Sequence, residues 1–179
     1  MYDVAIIGGG PAAIFAVYEF VIKYPELRLV MLEAGNAIDK RHCPLAAKKV
    51  DHCINCKPCS IMRGFGGAGA FSDGKYNITN DFGGTLYEYI GKKEAIDLMK
   101  YVDEINMSHG GEGTKLYSTA GTDSKKVCLQ NKLKLLDASV RHLGTDINYV
   151  VLKNIYNELT DKVAFHFDEA ALTIESRGE

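Results

Sequence analysis

The feature that most constrains the fold is a glycine-rich turn between an apolar segment and a helical pattern at the N-terminus. Residues 3–7 are expected to form a short apolar strand. Gly8, Gly10 and Ala13 follow at the G-x-G-x-x-G/A spacing of dinucleotide-binding turns. Gly8 permits a tight turn, Gly10 lets the backbone approach a pyrophosphate, and Ala13 lets the helix pack closely on the strand. The pattern predicts a βαβ unit that binds an adenine dinucleotide.

The segment after the turn continues this pattern. A helix is predicted to begin at Pro11, where the missing N–H costs nothing because that group has no partner inside a helix. Its free N–H groups would face the phosphates. The apolar run 27–32 predicts a second strand, and Glu33 at its end is placed to accept hydrogen bonds from a ribose 2′-OH. A buried βαβ unit without a ligand is the alternative, but it does not explain the position of the acid.

Composition excludes several classes of protein. The chain has 179 residues, of which 46% are hydrophobic and 25% charged, as in ordinary globular proteins. A formal net charge of −2 gives no reason to expect nucleic acid as a partner. The N-terminus contains Asp3 and no early Lys or Arg, so it does not resemble a secretory signal. Pro11 and Glu19 argue against a membrane span. We therefore expect a cytoplasmic protein that acts on a small molecule.

Alternating strands and helices predict an α/β fold with a parallel sheet. The prediction is a single domain over 1–179, with an irregular, Cys- and Gly-rich insertion over 36–84 that exceeds the usual loop length. The later predicted elements are helices over 85–107, 124–136 and 146–159, and a hairpin of strands over 163–167 and 170–174.

Four of the five cysteines lie in the insertion, at Cys43, Cys53, Cys56 and Cys59. The C-x2-C-x2-C part can direct three thiolates to one centre, and Cys43 can add a fourth, so an iron–sulfur cluster or zinc is chemically reasonable. Cys56 and Cys59 can instead form a redox dithiol, with Lys57 lowering a thiolate pKa. Reduced cysteines with a purely structural role are the third alternative. The spacing does not decide between them, and no metal ligand is assigned.

The segment 61–75 follows the cysteines and contains five glycines. Successive small residues let a backbone lie against a planar ligand and direct N–H groups toward it. Phe65 and Phe71 argue against a flexible linker. We expect this loop to contact a ligand.

These motifs together resemble a known family. The chain looks like the uncharacterised FAD-dependent dehydrogenases, which are NAD(P)/FAD-dependent oxidoreductases with a two-dinucleotide-binding architecture. The resemblance spans most of the chain and rests on Gly8 to Ala12, Glu33, Arg41 to Pro44, the Cys53-Cys56-Cys59 run, Gly64 to Lys75 and Arg141 to Asp146. It implies a Rossmann-like FAD/NAD(P)-binding domain, incomplete because it forms the N-terminal part of a larger flavoprotein.

The resemblance also implies a set of cofactor-binding residues, whereas the catalytic residues stay unknown. Gly8, Gly10 and Ala12 are expected at the pyrophosphate and Glu33 at the adenosine ribose. Arg41 and the 66–68 stretch are expected near the ribityl chain or the isoalloxazine. The full implied set is Gly8, Gly9, Gly10, Pro11, Ala12, Glu33, Ala34, Arg41, Gly66, Gly67, Ala68 and Ala171, the last of these near the adenine.

The function implied by the resemblance is hydride or electron transfer through FAD, with NAD(P)H as a candidate electron donor. Two alternatives stay open at this point. The chain can be a truncated dinucleotide-binding module without turnover, or a domain that binds NAD(P) rather than FAD. The substrate and the electron acceptor are not encoded in any recognisable motif.

Overall fold

The computed structural model describes residues 1–176 and has a mixed α/β architecture. Its strands are β1 Val4–Ile7, β2 Leu29–Glu33, β3 Lys75–Ile78, β4 Leu116–Ser118, β5 Ser139–His142 and β6 Val163–Phe167. Its α-helices are α1 Pro11–Lys23, α2 Leu86–Ile90, α3 Lys92–Asn106, α4 Ser124–Gln130 and α5 Gly144–Leu159. Two 3-10 turns over Ile38–Lys40 and Ala68–Phe71 and a π turn over Met107–Gly111 complete the regular structure of the described residues.

The described chain divides into two compact units. Unit 1 consists of residues 1–71 and the described residues from 152 onward, and unit 2 consists of residues 72–151. The sequence predicts one domain over 1–179, and the last three residues of that range lie outside the described part. The predicted insertion over 36–84 also crosses the boundary between the units, and it contains β3 and both 3-10 turns.

Unit 1 is built on a three-stranded parallel sheet in the order β1-β2-β6. Leu29, Val30 and Met31 of the central strand β2 are buried, as expected for a parallel strand covered on both faces. Ile14 and Val17 of α1 are fully buried, in agreement with their helical spacing. The α/β class and the N-terminal strand–helix–strand order are therefore confirmed.

The predicted hairpin at the end of the chain is wrong. Val163–Phe167 is a strand, but it pairs in parallel with β2, and the structure has no strand over 170–174. The backbone turns at Asp168, whose φ is 59°. The N–H groups of Asp168 and Glu169 donate to the carbonyls of Gly35 and Glu33, at 2.9 and 3.1 Å. These two bonds hold the chain against the end of β2, so it does not form an antiparallel strand beside β6.

The core of unit 1 includes one side chain from the glycine-rich loop. Phe65 is fully buried, and its ring meets those of Tyr156 and Phe165 edge-on, with centroids 5.1 and 5.9 Å apart. Aromatic pairs at such distances contribute about 0.5–1.5 kcal/mol beyond their burial. Because Phe65 is anchored, the loop has a defined position, as the sequence predicts.

Unit 2 contains an antiparallel sheet in the order β3-β5-β4, which the sequence does not predict. These strands have three or four residues each, and β4 is exposed throughout, so no apolar alternation marks them. The predicted helix over 85–107 is divided at Gly91, whose φ of 92° belongs to the left-handed region, into α2 and α3. The helix predicted over 124–136 ends at Gln130.

Among the described residues, no helix combines the length and the apolar character needed to cross a bilayer.

One ion pair holds the sheet of unit 2 to α3. Arg141 of β5 donates to Asp103 of α3 through Nε, at 3.0 Å, and through Nη2, at 2.7 Å. Its Nη1 donates to the carbonyl of Thr114 at 2.6 Å. The two side chains are only 13% and 10% exposed, and the hydrogen bond to Asp103 raises the pKa of Arg141.

We expect Asp103→Ala to lower the free energy of unfolding by about 3 kcal/mol or more, because it leaves the Arg141 guanidinium largely buried without a counter-charge. The control is Asp97→Ala, which removes an exposed pair with Lys93 and should cost less than about 1 kcal/mol. Urea unfolding followed by circular dichroism measures both. Equal losses in the two variants would contradict the assigned role of the Arg141–Asp103 pair.

Candidate functional site

Unit 1 contains a cleft of about 440 Å³ at the carboxyl ends of β1 and β2. Both strands run parallel, so the turns that follow them meet at the same edge of the sheet. Ligands of open parallel sheets bind at this edge. Seven of the predicted site residues line the cleft: Gly8, Gly9, Gly10, Glu33, Ala34, Gly67 and Ala171.

The glycine turn after β1 leaves open space in front of Gly10. Gly8 has a φ of 95°, which favours glycine, and its N–H donates to the carbonyl of Leu32 at 2.8 Å. Gly10 has a φ of −76°, which any residue can adopt. A Cβ atom at Gly10 would meet no protein atom within 4 Å. The fold therefore does not itself require glycine at this position, whereas the close approach of a ligand would.

The start of α1 supplies free hydrogen-bond donors. Its first backbone bond runs from the Ile14 N–H to the Gly10 carbonyl at 3.0 Å. The N–H groups of Ala12 and Ala13 consequently have no partner inside the helix, and Pro11 has no N–H. Such a helix start, with the positive end of the helix dipole, attracts phosphate groups.

Glu33 joins three segments through its carboxylate. Oε2 accepts the Gly9 N–H at 2.5 Å, and Oε1 accepts those of Gly35 and Gly64 at 2.7 and 2.9 Å. The residue is 7% exposed. A carboxylate has about four acceptor positions, so three bonds leave room for one more. Glu33 thus has a structural role that the sequence does not reveal, and it keeps the capacity for a bond to a ribose hydroxyl.

Arg41 holds the backbone of the glycine-rich loop through hydrogen bonds. Its guanidinium donates to the carbonyls of four loop residues, at 2.7 to 2.9 Å, and lies 4.8 Å from the centre of the Phe71 ring. The residue is 3% exposed, and burial lowers its pKa, against the opposing effects of Glu33 and Cys59. These four acceptors are Ser60, Ile61, Phe65 and Gly67, and the Gly64 carbonyl accepts a longer bond of 3.5 Å.

Five predicted residues do not line the cleft. Pro11 and Ala12 lie at the exposed start of α1. Arg41 is buried beneath the loop, and Ala68 is exposed at the start of a 3-10 turn. Gly66 is buried and donates to the Gly9 carbonyl at 2.8 Å. Cofactor contacts at these five positions, as at the seven in the cleft, stay predictions.

The sequence reasoning missed Arg63 as an individual site residue. Its side chain is exposed and lines both this cleft and a neighbouring one of about 500 Å³. The sequence does show a cationic residue directly before the Gly64 to Gly67 run. We interpreted that run from its small residues alone and did not consider the charge beside it. Met62, Gly64, Glu169 and Ala170 also line the cleft.

The four loop cysteines are brought together around one small cavity, lined by Cys43, Cys53, Cys56 and Cys59. All five cysteines have free thiols. Within residues 1–176, no group of three or more His, Cys, Asp or Glu side chains is arranged to hold a metal ion.

Comparisons with models of protein families, with curated proteins and with solved structures gave no match to this chain.

We expect Glu33→Ala to destabilise unit 1 by about 3 kcal/mol or more, because three buried N–H groups lose their acceptor at about 1–3 kcal/mol each. Glu33→Gln should cost less, since one oxygen remains. The control is Glu169→Gln, an exposed carboxylate in the same cleft, with an expected change below about 0.5 kcal/mol. Thermal and urea unfolding measure all three. A Glu33→Ala variant as stable as the control would refute the structural role.

Proposed function

We propose that unit 1 is the FAD-binding part of a flavin-dependent oxidoreductase, with a Rossmann-like arrangement of its sheet. The observation that supports this most directly is the cleft, which joins the glycine turn, the acid at the end of β2 and the glycine-rich loop. The order β6-β2-β1 also agrees with the 3-2-1 half of a doubly wound sheet. The cleft volume lies within the usual range for ligand sites.

The pyrophosphate of the dinucleotide would bind at the start of α1. The N–H groups of Ala12 and Ala13 provide donors there, and the open space at Gly10 admits the phosphate oxygens close to the backbone. Arg63 also lines the cleft and offers a positive charge there. A guanidinium binds phosphate through charge-assisted hydrogen bonds, which are roughly twice as strong as neutral ones.

Glu33 would hold the adenosine ribose through its remaining acceptor capacity. Its position at the end of β2 is the one at which an acid accepts a ribose hydroxyl in dinucleotide-binding folds. The three backbone bonds keep the carboxylate oriented in the absence of a ligand. Ala34 and Ala171, which line the same cleft, leave room for the adenosine.

FAD, when bound, supplies an isoalloxazine that accepts and releases a hydride or electrons, while the protein positions it. The small residues from Gly64 to Gly67 would lie along the cofactor, and Arg41 keeps them in place. NAD(P)H as the electron donor, a small molecule as the substrate and a cytoplasmic location belong to the same proposal. It assigns no catalytic acid or base.

We expect Gly10→Val to abolish FAD binding while the protein stays folded, because the added side chain occupies the space proposed for the pyrophosphate. The matched control is Gly69→Val, since a Cβ there also meets no protein atom within 4 Å and Gly69 does not line the cleft. The measurement is fluorescence titration with FAD, with thermal unfolding as the test of folding.

Three results of this titration would count against the proposal. One is the absence of FAD binding by the unmodified chain. Another is FAD binding by Gly10→Val with unchanged affinity, which would remove the pyrophosphate assignment. The last is tighter binding of NAD⁺ or NADPH than of FAD in parallel titrations, which would favour a nicotinamide domain.

A further inference from the structure

We propose that Cys43, Cys53, Cys56 and Cys59 hold a four-iron, four-sulfide cluster beside the nucleotide cleft. The four cysteines line a single cavity, although nine residues separate the first from the second along the chain. The remaining cysteine, Cys128, lies in unit 2 and does not line this cavity. The inference concerns a second redox group and does not depend on which nucleotide binds.

The cysteine spacing agrees with the ligands of such a cluster. Bacterial ferredoxins bind a cluster through three cysteines of a C-x2-C-x2-C segment and a fourth cysteine from a distant Cys-Pro pair. Here Cys53, Cys56 and Cys59 form the first segment, and Cys43-Pro44 is a Cys-Pro pair. The sequence supplies all four ligands, and the structure places them around the same space.

The ligand set is that of a cluster. A four-iron cluster is bound by four thiolates, each on a different iron, and four cysteines line this cavity. Among the described residues, no three His, Cys, Asp or Glu side chains are arranged to hold a metal ion, so the thiols must move when the cluster binds. The cavity walls also include the apolar residues Pro44, Leu45 and Ile54.

The loop that carries the cysteines can rearrange to bind the cluster. The cavity measures about 30 Å³, which is room for a few water-sized particles at most, so the loop must open for a cluster to bind. Within the described residues, no backbone hydrogen bond ties 50–58 to any other segment, and this stretch contains no helix or strand. Cys53 is exposed, so its movement exposes little buried surface.

The cysteine cavity lies next to the nucleotide cleft, so a cluster there could exchange electrons with a bound cofactor. Cys56 and Cys59 also line the cleft of about 500 Å³, together with Ala34, Arg63 and Ala170. The same three residues line the nucleotide cleft. A cluster held by these cysteines would therefore adjoin the space in which we propose that the cofactor binds.

The test is the metal and sulfide content of the full chain, expressed with added iron and purified without oxygen. We expect about four iron atoms and four acid-labile sulfides per chain, and an electron paramagnetic resonance signal after reduction with dithionite. Cys53→Ser and Cys56→Ser should lose most of the iron and this signal. Cys128→Ser is the matched control and should keep both.

Several results would overturn the proposal. One is stoichiometric zinc without iron or sulfide. Another is metal-free protein, whose cysteines are either all free or include a Cys56–Cys59 disulfide, as alkylation and mass spectrometry would reveal. Equal loss of iron from Cys128→Ser would show that the effect is not specific to the cavity. Thermal unfolding identifies a variant that fails to fold, and Cys53→Ala, at the exposed position, then provides the second test.

Discussion

The carboxylate of Glu33 is the interaction on which unit 1 depends. It accepts N–H groups from the turn after β1, from the residue after β2 and from the glycine-rich loop, and all three donors are buried glycines. Hydrogen bonds from backbone N–H to a carboxylate are among the stronger ones in proteins, and an unsatisfied buried N–H is costly. One charged group therefore satisfies three otherwise unpaired donors and places three segments around one cleft.

Arg41 complements Glu33 at the same loop. Glu33 accepts the N–H of Gly64, whereas Arg41 donates to loop carbonyls, including those of Phe65 and Gly67. The buried Phe65 ring adds an apolar anchor to this loop. A loop held in this way has a defined backbone before any ligand arrives, and a pre-formed site avoids much of the entropy cost of ordering on binding. This explains how a segment with so many glycines can serve as a wall of a site.

The parts predicted correctly from the sequence are those with a strong local pattern. The β1–turn–α1–β2 unit combines an apolar strand, fixed glycine positions and a helical apolar spacing, and each signal lies within a few residues. The sheet of unit 2 lacks such a pattern, because β3, β4 and β5 are short and partly exposed. The hairpin over 163–174 was predicted from two adjacent apolar runs, but long-range pairing with β2 and the bonds at Asp168 and Glu169 determine the path.

The sequence by itself determined the glycine spacing, the acid at the end of the second strand, the cysteine spacing and the α/β class, because each depends on residue types at short separations. Only the tertiary structure decided that Glu33 binds Gly64, that Arg41 lies under the loop rather than in the cleft, and that Cys43 meets the other three cysteines. These contacts join residues 10 to 31 positions apart across irregular segments. No periodicity relates such residues, so their meeting depends on the packing of the whole unit.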